Sequence, residues 1–510
     1  MNRLGLTKDQ RRAQWPSWLV CALLLGLCSA LALWLGLAIM ATPVHADTLC
    51  VKPGGGDGCL ASINAALAIA QENDTIRVAA GIYNENVLIS QTVTLQGGWS
   101  PDFSVRDMNV FSSTVYPLDN KQSVVAIEGQ FADPTAVMPT LDGFVIRGGQ
   151  AHLGSNHGGG LRIRDSNALV ISNTIRNNSA FLLGGGVWVQ RGAPTLQGNQ
   201  IVDNRTLGLG QDAHGGGVQL ESTQATLLDN LLARNVLSGT ESYGGGLEVA
   251  STGTGRVTLM RNRFISNTAS IDPLALGFGG GIAVSSGRVF LDSSGLISNT
   301  ATAGGGGLFI NAGGMFSFTN GVFVANVAAQ DGGGIYNTGV FSLSNTTVSG
   351  NSAGGMGGGI ANFEVVNLVN ATVSDNTSDN GAGLFNSNEV NIKNSLIALN
   401  LGDNCQGAAL FSLGNNLEDG GTCALGQPTD MSNTSPSMGQ LGEYGGATPT
   451  HALAAGSPAI DAGDNSACPP VDQRGAPRPV DGDGDGQAVC DIGAYEYGAL
   501  RWVYLPLVLR

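Results

Sequence analysis

Acidic residues near the C-terminal end have the spacing of a calcium-binding loop. Single residues separate Asp481, Asp483 and Asp485, so their carboxylates can converge on one hard cation. The twelfth position, which carries a bidentate acid in an EF-hand, is isoleucine, but Asp491 lies one residue earlier and can close a different loop. We therefore predict that these four aspartates bind calcium. The alternative is a solvated acidic turn, and no other cofactor is indicated.

Acid–base cleavage of a polysaccharide would need carboxylates at equivalent positions of neighbouring repeats. Nine glycine-rich segments repeat along the chain, and alternate residues after each of them are expected to point outward. The first outward position carries Arg162, Trp188, Gln219, Glu248, Ala283, Phe309, Tyr336, Ala361 and Phe385. The second carries, in the first six repeats, Arg164, Gln190, Glu221, Ala250, Ser285 and Asn311. Because Glu221 and Glu248 fall in different columns, we predict no catalytic residue and no enzymatic activity.

Histidines are another possible source of chemistry. His157 and His214 each precede a glycine triplet, but two repeats separate them. We interpret both as turn residues rather than as partners in one site.

Aromatic residues occupy four of the first outward positions. They are Trp188, Phe309, Tyr336 and Phe385, and they are predicted to form a shallow platform on which sugar rings stack. The alternative is that a side loop covers them. The platform predicts glycans as ligands.

The glycine-rich segments that position these residues recur every ~24 to 35 residues, which is the spacing of a solenoid. Each reads GGG or GAG followed by an apolar residue. They begin at Gly158, Gly184, Gly215, Gly244, Gly279, Gly305, Gly332, Gly357 and Gly381. The residues that follow alternate between apolar and other types, which is typical of a half-buried strand. Glycine is expected there because the chain must turn sharply and the next coil packs directly on it.

Asparagines form a second repeating mark, about twenty residues after the glycines. One column contains Asn178, Asn204, Asn235, Asn267, Asn299, Asn326, Asn351, Asn376 and Asn400. A preceding column contains Asn173, Asn199, Asn230, Asn262, Asn320, Asn345, Asn370 and Asn394. Stacked asparagines can bond to each other and to turn backbone. The two columns stand five residues apart at first and six apart from Asn320 onward, which predicts that one turn gains a residue midway.

These marks predict an all-β parallel β-helix with three short strands in each repeat. A β-propeller needs about forty residues in each blade, which is more than these repeats have. Phosphate binding by the glycines is excluded because no helical pattern follows any triplet.

The repeat resembles a known family. The combination of GGG and an apolar residue with the tetrapeptide Phe264-Ile265-Ser266-Asn267 is similar to the polymorphic outer membrane protein repeats, over about residues 158–400. This resemblance implies a right-handed β-helix, of the pectin lyase-like kind, on a bacterial cell surface. No C-terminal β-barrel pattern is visible in the sequence, so autotransport is not implied.

The two ends of the solenoid carry candidate caps. Ser62 is a candidate N-cap for a helix that places Ile63, Ala66, Leu67 and Ala70 on one face, where it can cover an open coil. At the other end, GSPAIDAGD from Gly456, DQRG from Asp472, and DGDGDG from Asp481 running into CDIGAYEY resemble the choice-of-anchor Q domain. That resemblance implies export and retention at the surface.

Six cysteines remain once the leader is set aside. We predict the local disulfides Cys50–Cys59, Cys405–Cys423 and Cys468–Cys490, since an exported chain with an even number of cysteines favours pairing. Zinc binding is the alternative, but no CxxC pair or histidine cluster supports it.

The sequence thus divides into five predicted parts. They are a signal peptide at 1–46, an N-terminal cap with the first coils at 47–140, β-helix repeats at 141–400, a choice-of-anchor Q-like domain at 401–497, and a hydrophobic tail, a possible sorting signal, at 498–510. The alternatives are an uncleaved membrane anchor at the start and a final edge strand at the end.

The net charge of the chain limits which partners it can bind. The net charge of −15 excludes the basic stripe that nucleic acid requires. We predict a secreted bacterial protein that is retained at the cell surface and acts as a non-catalytic structural or adhesive module, with glycans or cell-envelope components as partners. The alternative function is an extracellular polysaccharide lyase or glycoside hydrolase of the pectin-degrading β-helix type. Oligomeric state cannot be read from the sequence.

Overall fold

The computed structural model describes residues 46–151, 157–250 and 255–499. By its contacts the chain divides into two units, residues 1–47 and residues 48–510, and the strands of the described residues lie in the second unit. The predicted signal peptide, except Ala46, and the tail from residue 500 onward lie outside the described residues. In the described part of the chain, no helix has the length and apolar character needed to cross a bilayer.

Parallel strands from successive repeats stack into sheets that run along the whole unit, as the sequence predicts. The largest sheet, which we call the first sheet, contains the strands that follow the glycine triplets. Its strands are Thr48–Val51, Thr75–Ala79, Val87–Ile89, Thr94–Trp99, Val125–Glu128, Thr140–Asp142, Leu161–Arg164, Leu169–Ile171, Val187–Gln190, Thr195–Gln197, Val218–Glu221, Thr226–Leu228, Leu247–Ala250, Arg256–Met260, Ile282–Asp292, Leu308–Thr319, Ile335–Asn337, Val340–Ser344, Ile360–Asn362, Val365–Val369, Leu384–Asn386, Glu389–Lys393, Cys405–Gly407 and Phe411–Ser412.

The next side of each coil forms the second sheet. Its strands are Gly81–Asn84, Ser113–Tyr116, Phe144–Arg147, Thr174–Arg176, Gln200–Val202, Leu231–Ala233, Arg263–Ile265, Gly295–Ile297, Val322–Val324, Thr347–Ser349, Thr372–Ser374, Leu396–Ala398 and Leu417–Glu418. Coil stacking therefore continues past residue 400, where the repeat pattern of the sequence stops.

Shorter strands complete the coils. The third sheet consists of Gln150–Ala151, Ser179–Ala180, Arg205–Thr206, Val236–Leu237, Thr268–Ala269, Thr300–Ala301, Val327–Ala328 and Ser352–Ala353. A fourth sheet contains Ala213–His214, Glu241–Tyr243 and Leu276–Phe278, and an antiparallel hairpin pairs Met438–Gly442 with Thr450–Leu453. Three strands are present, as expected, in the repeats that begin at Gly279, Gly305, Gly357 and Gly381, whereas the other five repeats contain one or two additional short strands. A strand of only two residues can still pair with the neighbouring strand in the sheet. It is too short, however, to show the alternation by which a sequence pattern indicates a strand.

The glycine triplet is required by both the turn and the packing, as predicted. Gly244 has a φ of +73°, which is a left-handed conformation that side chains disfavour. At Gly245 and Gly246 the backbone of the next coil is so close that a Cβ would lie 2.4 Å from the Gly280 carbonyl oxygen and 2.6 Å from that of Gly281, respectively.

The predicted asparagine ladder is present in the later column. Asn267 shows the pattern: its Nδ2 donates to Asn299 Oδ1 at 3.0 Å and to the Leu232 carbonyl at 2.9 Å. Its Oδ1 in turn accepts from the backbone nitrogen and Nδ2 of Asn235, both at 3.0 Å. Each buried asparagine thus satisfies turn backbone and connects three coils.

The earlier asparagine column forms the predicted ladder as far as Asn262, but the asparagines from Asn320 onward occupy a different position. No turn gains a residue, because Gly295, Val322 and Thr347 pair in unbroken register. Instead, the asparagine of the later coils lies one position earlier in the turn, at a residue with left-handed backbone conformation rather than at the ladder position. Asn320 has φ +57° there, where Ser293 of the previous coil has φ +48°. Asparagine tolerates this conformation better than most residues.

The shifted asparagines hold the C-terminal segment against the side of the stack. Asn345 Nδ2 donates to the Val471 carbonyl at 2.7 Å, and Asn370 Nδ2 donates to that of Asp491 at 3.1 Å. Thr347 Oγ1, on the outer face of the second sheet, also donates to Gln473 Oε1 at 2.6 Å. The later part of the predicted C-terminal cap is therefore a lateral cover over the later coils, whereas Leu410, Cys423 and Leu425, from its first part, pack against the main core.

The other local predictions about the ends are confirmed. The helix Ile63–Leu67 begins after Ser62, whose Oγ accepts from the Ala65 backbone nitrogen, and its Ile63, Ala66 and Leu67 side chains are buried. The three predicted disulfides, Cys50–Cys59, Cys405–Cys423 and Cys468–Cys490, are all formed.

His451 makes the attachment of the C-terminal segment sensitive to pH. The buried ring is held between Ser349 Oγ and the Gly439 carbonyl, both at 2.9 Å, and burial lowers its pKa despite that carbonyl and the nearby Asp375. The unfolded chain therefore binds the proton more readily, and the free energy of unfolding falls as the pH drops below about 6.5. We expect the protection factors of the hairpin amides, which correct for the intrinsic pH dependence of exchange, to fall between about pH 7.5 and pH 5.5. The variant His451→Gln should lose this pH dependence, and an unchanged profile would contradict the assignment.

Candidate functional site

The outward side chains of the first sheet form the columns that the sequence predicts. Gln219 pairs with Trp188 on one side and Glu248 on the other, and Tyr336 pairs with Phe309 in the same way. The second column is interrupted: a bulge makes Ala250 pair with Ser286 rather than Ser285. The bulge turns the strand locally and changes which side chains meet on this face.

A groove runs beside these columns over the middle coils. One cavity of about 550 Å³ is lined in part by Gln219, Glu221 and Glu248. An adjoining cavity of about 530 Å³ is lined in part by Asp212, and the two cavities share Leu183 and His214. Both volumes lie within the range of about 300–1,000 Å³ that is usual for small-molecule sites.

A buried carboxylate at the centre of the groove joins three coils. Glu248 is 1 % exposed, and its Oε2 accepts from His214 Nδ1 at 2.8 Å. Its Oε1 accepts a short hydrogen bond from Ser285 Oγ. Burial of the His214 ring lowers its pKa, but the hydrogen bond and the charge of Glu248 outweigh that effect and the pKa is raised. The pair therefore orients the imidazole and favours its protonated form.

Two further acceptors line the same cavity. Glu221 Oε2 accepts from Trp188 Nε1 at 3.2 Å. Gln219 is only 2 % exposed, and its Oε1 has no hydrogen-bond partner among the described residues. A buried acceptor without a partner costs free energy, so this oxygen is a natural contact for a ligand donor.

Acidic residues surround the groove. Tyr243 stacks on His214 with ring centroids 5.5 Å apart and donates its hydroxyl to Glu241. Burial raises the pKa of Tyr243, and Glu241 and Asp212 add to the effect. These acidic residues thus favour a positively charged group in the groove over a negatively charged one.

The predicted aromatic residues belong to a longer ladder of rings. Consecutive centroids along it are 4.8–5.9 Å apart. The ladder consists of His214, Tyr243, Phe278, Phe309, Tyr336, Phe363 and Phe385. Each inner ring has neighbouring rings above and below it, and the ladder mainly stabilises the stack.

The structure does not bring the four predicted platform residues together. Trp188 is 4 % exposed and lies against His157, apart from the ladder, and Phe309 is 5 % exposed. Tyr336 and Phe385 are partly exposed, but Phe363 lies between them. The four residues therefore do not form one continuous platform for sugar rings.

The C-terminal acidic segment gathers a different set of aspartates from the one predicted. Carboxylate oxygens of Asp461, Asp481 and Asp483 lie within 4.8 Å of one another. Asp491 is fully buried elsewhere, where it accepts from the backbone nitrogens of Asp461 and Tyr497. Asp485 is exposed outside this group. The structure thus does not group Asp491 with these acids, and backbone N–H groups donate to both of its oxygens.

Calcium binding by the other acids stays a prediction. If Asp481 and Asp483 bind calcium together with Asp461, we expect millimolar calcium to raise the melting temperature. The variant Asp483→Asn should lose that rise, whereas Asp485→Asn should retain it. Calorimetric melts with calcium or a chelator measure both, and a melting temperature that is indifferent to calcium in the wild type would contradict the prediction.

Comparison with known proteins now defines the fold. Residues 142–290 match the family described as "Right handed beta helix region". The fold is a right-handed parallel β-helix, as predicted. The search of curated proteins found no match. A similar solved structure is "Crystal structure of pectate lyase Pel9A", at 12 % identity over 89 % of this chain and 98 % of that chain, with a TM-score of 0.32. A similarity of this degree says nothing about what the present chain does.

The finer family resemblances, to polymorphic outer membrane protein repeats and to the choice-of-anchor Q domain, stay predictions. The cluster of His214, Glu248 and Ser285 was missed from the sequence. One signal was available, because the residues before the triplets form a column in which His214, Tyr243 and Phe278 are successive members.

Proposed function

We propose that this protein is an extracellular glycan-binding protein, retained at the cell surface, that acts by adhesion and not by catalysis. The observation that carries the proposal is the groove of two adjoining cavities that meet at Leu183 and His214. A groove of this kind accommodates an extended chain better than a single compact molecule.

The polar side chains of the groove are held rigidly, which favours binding. Gln219, Glu221 and Glu248 are on strands of the first sheet, whose register is set by coils on both sides. Such side chains lose little conformational freedom when a ligand binds. Glycans offer hydroxyl donors at short intervals, which matches a row of carboxylate and amide acceptors.

An extracellular location is part of the same proposal. Three disulfides among the described residues favour an oxidising compartment. The predicted signal peptide, anchor domain and tail supply the route and the retention in this proposal.

The groove chemistry argues for binding over catalysis. Both oxygens of Glu248 accept hydrogen bonds from His214 and Ser285, so this carboxylate is engaged within the protein. Glu221 lies in the next column and opposite Ala250. A glycosidase of the usual kind needs two carboxyl groups that both reach the scissile bond.

One observation favours the alternative of a polysaccharide-cleaving enzyme. The bond from His214 Nδ1 to Glu248 fixes the imidazole in the way that a carboxylate orients a catalytic base. Release of reducing or unsaturated sugars from a panel of polysaccharides, lost in His214→Gln, would establish this alternative in place of adhesion.

A glycan array tests the proposal directly. We expect the wild-type protein to bind a defined subset of glycans and Glu221→Ala to lose on the order of tenfold or more in affinity, because a charged acceptor is removed from the groove. Glu364→Ala is the matched control, since this glutamate is exposed on a distant coil. Silence of the wild-type protein on the array would refute the proposal.

A further inference from the structure

Four hydrogen-bond donors of the groove are already engaged within the protein. His214 Nδ1 and Ser285 Oγ donate to Glu248, Trp188 Nε1 donates to Glu221, and the Tyr243 hydroxyl donates to Glu241. These four donors are therefore not available to a ligand.

Two acceptors of the groove, in contrast, have no partner among the described residues. Gln219 Oε1 is buried and lacks a partner, and Glu221 Oε1 accepts no hydrogen bond from the residues that the structure describes. Gln219 and Glu221 are two positions apart on one strand, so their side chains face the same side and their Cα atoms are about 7 Å apart. A ligand that donates to both must present donors on adjacent parts of one or two sugar rings.

The charge of Glu221 is also uncompensated at contact distance. Arg191, which feels this charge, is bound in a bidentate pair to Asp165, with Nη2 to Oδ2 at 2.7 Å. His214 is engaged by Glu248, and Asp212 and Glu241 add further negative charge nearby. In the described part of the chain, no lysine, arginine or histidine lies within ion-pair distance of Glu221.

We infer that the groove selects oligosaccharides that carry a free amino group, with the ammonium bound at Glu221 and a neighbouring hydroxyl or N–H donating to Gln219 Oε1. The inference rests on the proposed glycan-binding function and names the class of glycan. An ammonium has three N–H donors and no acceptor, so it complements the two acceptors of Gln219 and Glu221 that lack a partner. Uronic acid polymers are disfavoured, because their carboxylates would lie against Glu221 and Asp212.

The test compares three oligosaccharides of equal length by isothermal titration calorimetry with the full-length protein. The probes are glucosamine oligomers, N-acetylglucosamine oligomers and oligogalacturonate. We expect the glucosamine oligomer to bind on the order of tenfold more tightly than the acetylated one, which is the gain from one charge-assisted hydrogen bond. Oligogalacturonate should bind most weakly.

Two variants locate the selectivity. Glu221→Gln should abolish the preference for the free amine while the acetylated oligomer still binds. Gln219→Met should weaken both oligomers without lowering the melting temperature, because the Oε1 that is removed has no partner in the free protein. A merely structural role for Gln219 would instead lower the melting temperature and leave the affinity unchanged.

A matched control excludes general attraction between a polycation and a chain of net charge −15. Glu364→Gln changes the net charge by the same amount as Glu221→Gln, but at an exposed position on a distant coil. Equal losses in the two variants would overturn the inference.

The possible results distinguish a failure of the amine selectivity from a failure of the proposed glycan binding. Binding of both hexosamine oligomers with equal affinity, or tighter binding of oligogalacturonate, overturns the amine selectivity and leaves glycan binding in place. Absence of binding to all three oligomers, together with a silent glycan array, overturns both.

Discussion

Valine in place of Gly245 is expected to prevent the coils on either side of it from stacking, with a loss of more than about 3 kcal/mol in the free energy of unfolding. A Cβ at this position would lie 2.4 Å from the Gly280 carbonyl oxygen and 2.6 Å from the Thr268 carbonyl carbon. Both obstacles are backbone atoms, so no side-chain movement can relieve the clash. Urea denaturation followed by circular dichroism measures the loss.

A second glycine provides the control. Gly313 is also on the first sheet, but it is exposed, and a Cβ there would meet its nearest atom at 3.7 Å. Gly313→Ala is therefore expected to change stability by no more than about 0.5 kcal/mol. If Gly245→Val unfolds at the same urea concentration as the wild type, the coils are not packed as the structure shows.

Removal of one amide from the asparagine ladder is expected to cost several kcal/mol. Asn267→Ala deletes four buried hydrogen bonds, two donated by its Nδ2 and two accepted by its Oδ1. The Leu232 carbonyl and the Asn235 amide groups lose this partner, and each buried group left unsatisfied costs about 1–3 kcal/mol. Because contacts in a solenoid are between neighbours, opening should begin at these coils.

Hydrogen exchange resolved by peptide tests this expectation. Protection should fall first in the coils that contain Asn235, Asn267 and Asn299, while the first coils keep theirs. Asn388→Ala is the matched control, since Asn388 is exposed. Uniform loss of protection along the whole unit would show that the ladder is not a local element.

Most of the fold could be predicted from the sequence because its determinants repeat. A glycine at every triplet, an asparagine in every later turn and strand-like alternation between them each recur in successive coils. Repetition makes a weak local signal strong. The disulfides and the N-terminal helix were also predictable, because each depends on residues close together in the chain.

Less of the candidate site could be predicted. The columns on the first sheet were predicted correctly. Glu221 and Glu248 were also singled out, but the only criterion applied to them was whether they fall in the same column. Their surroundings come from residues whose position depends on loops of unequal length. The earlier asparagine column was also misinterpreted, because the sequence shows a change in spacing but not which face the side chain takes.

The amino-acid sequence by itself determined the coil, its sheets and its apolar interior, since steric contact between backbones and the satisfaction of buried amides act at every repeat in the same way. Only the tertiary structure decided the groove. Glu248 meets His214 from the preceding coil and Ser285 from the following one, where a bulge displaces the strand. Asp461 likewise approaches Asp481 only through the folding of the C-terminal segment itself. Such contacts are made once in the molecule, between residues with no fixed separation in sequence, so no periodicity can indicate them.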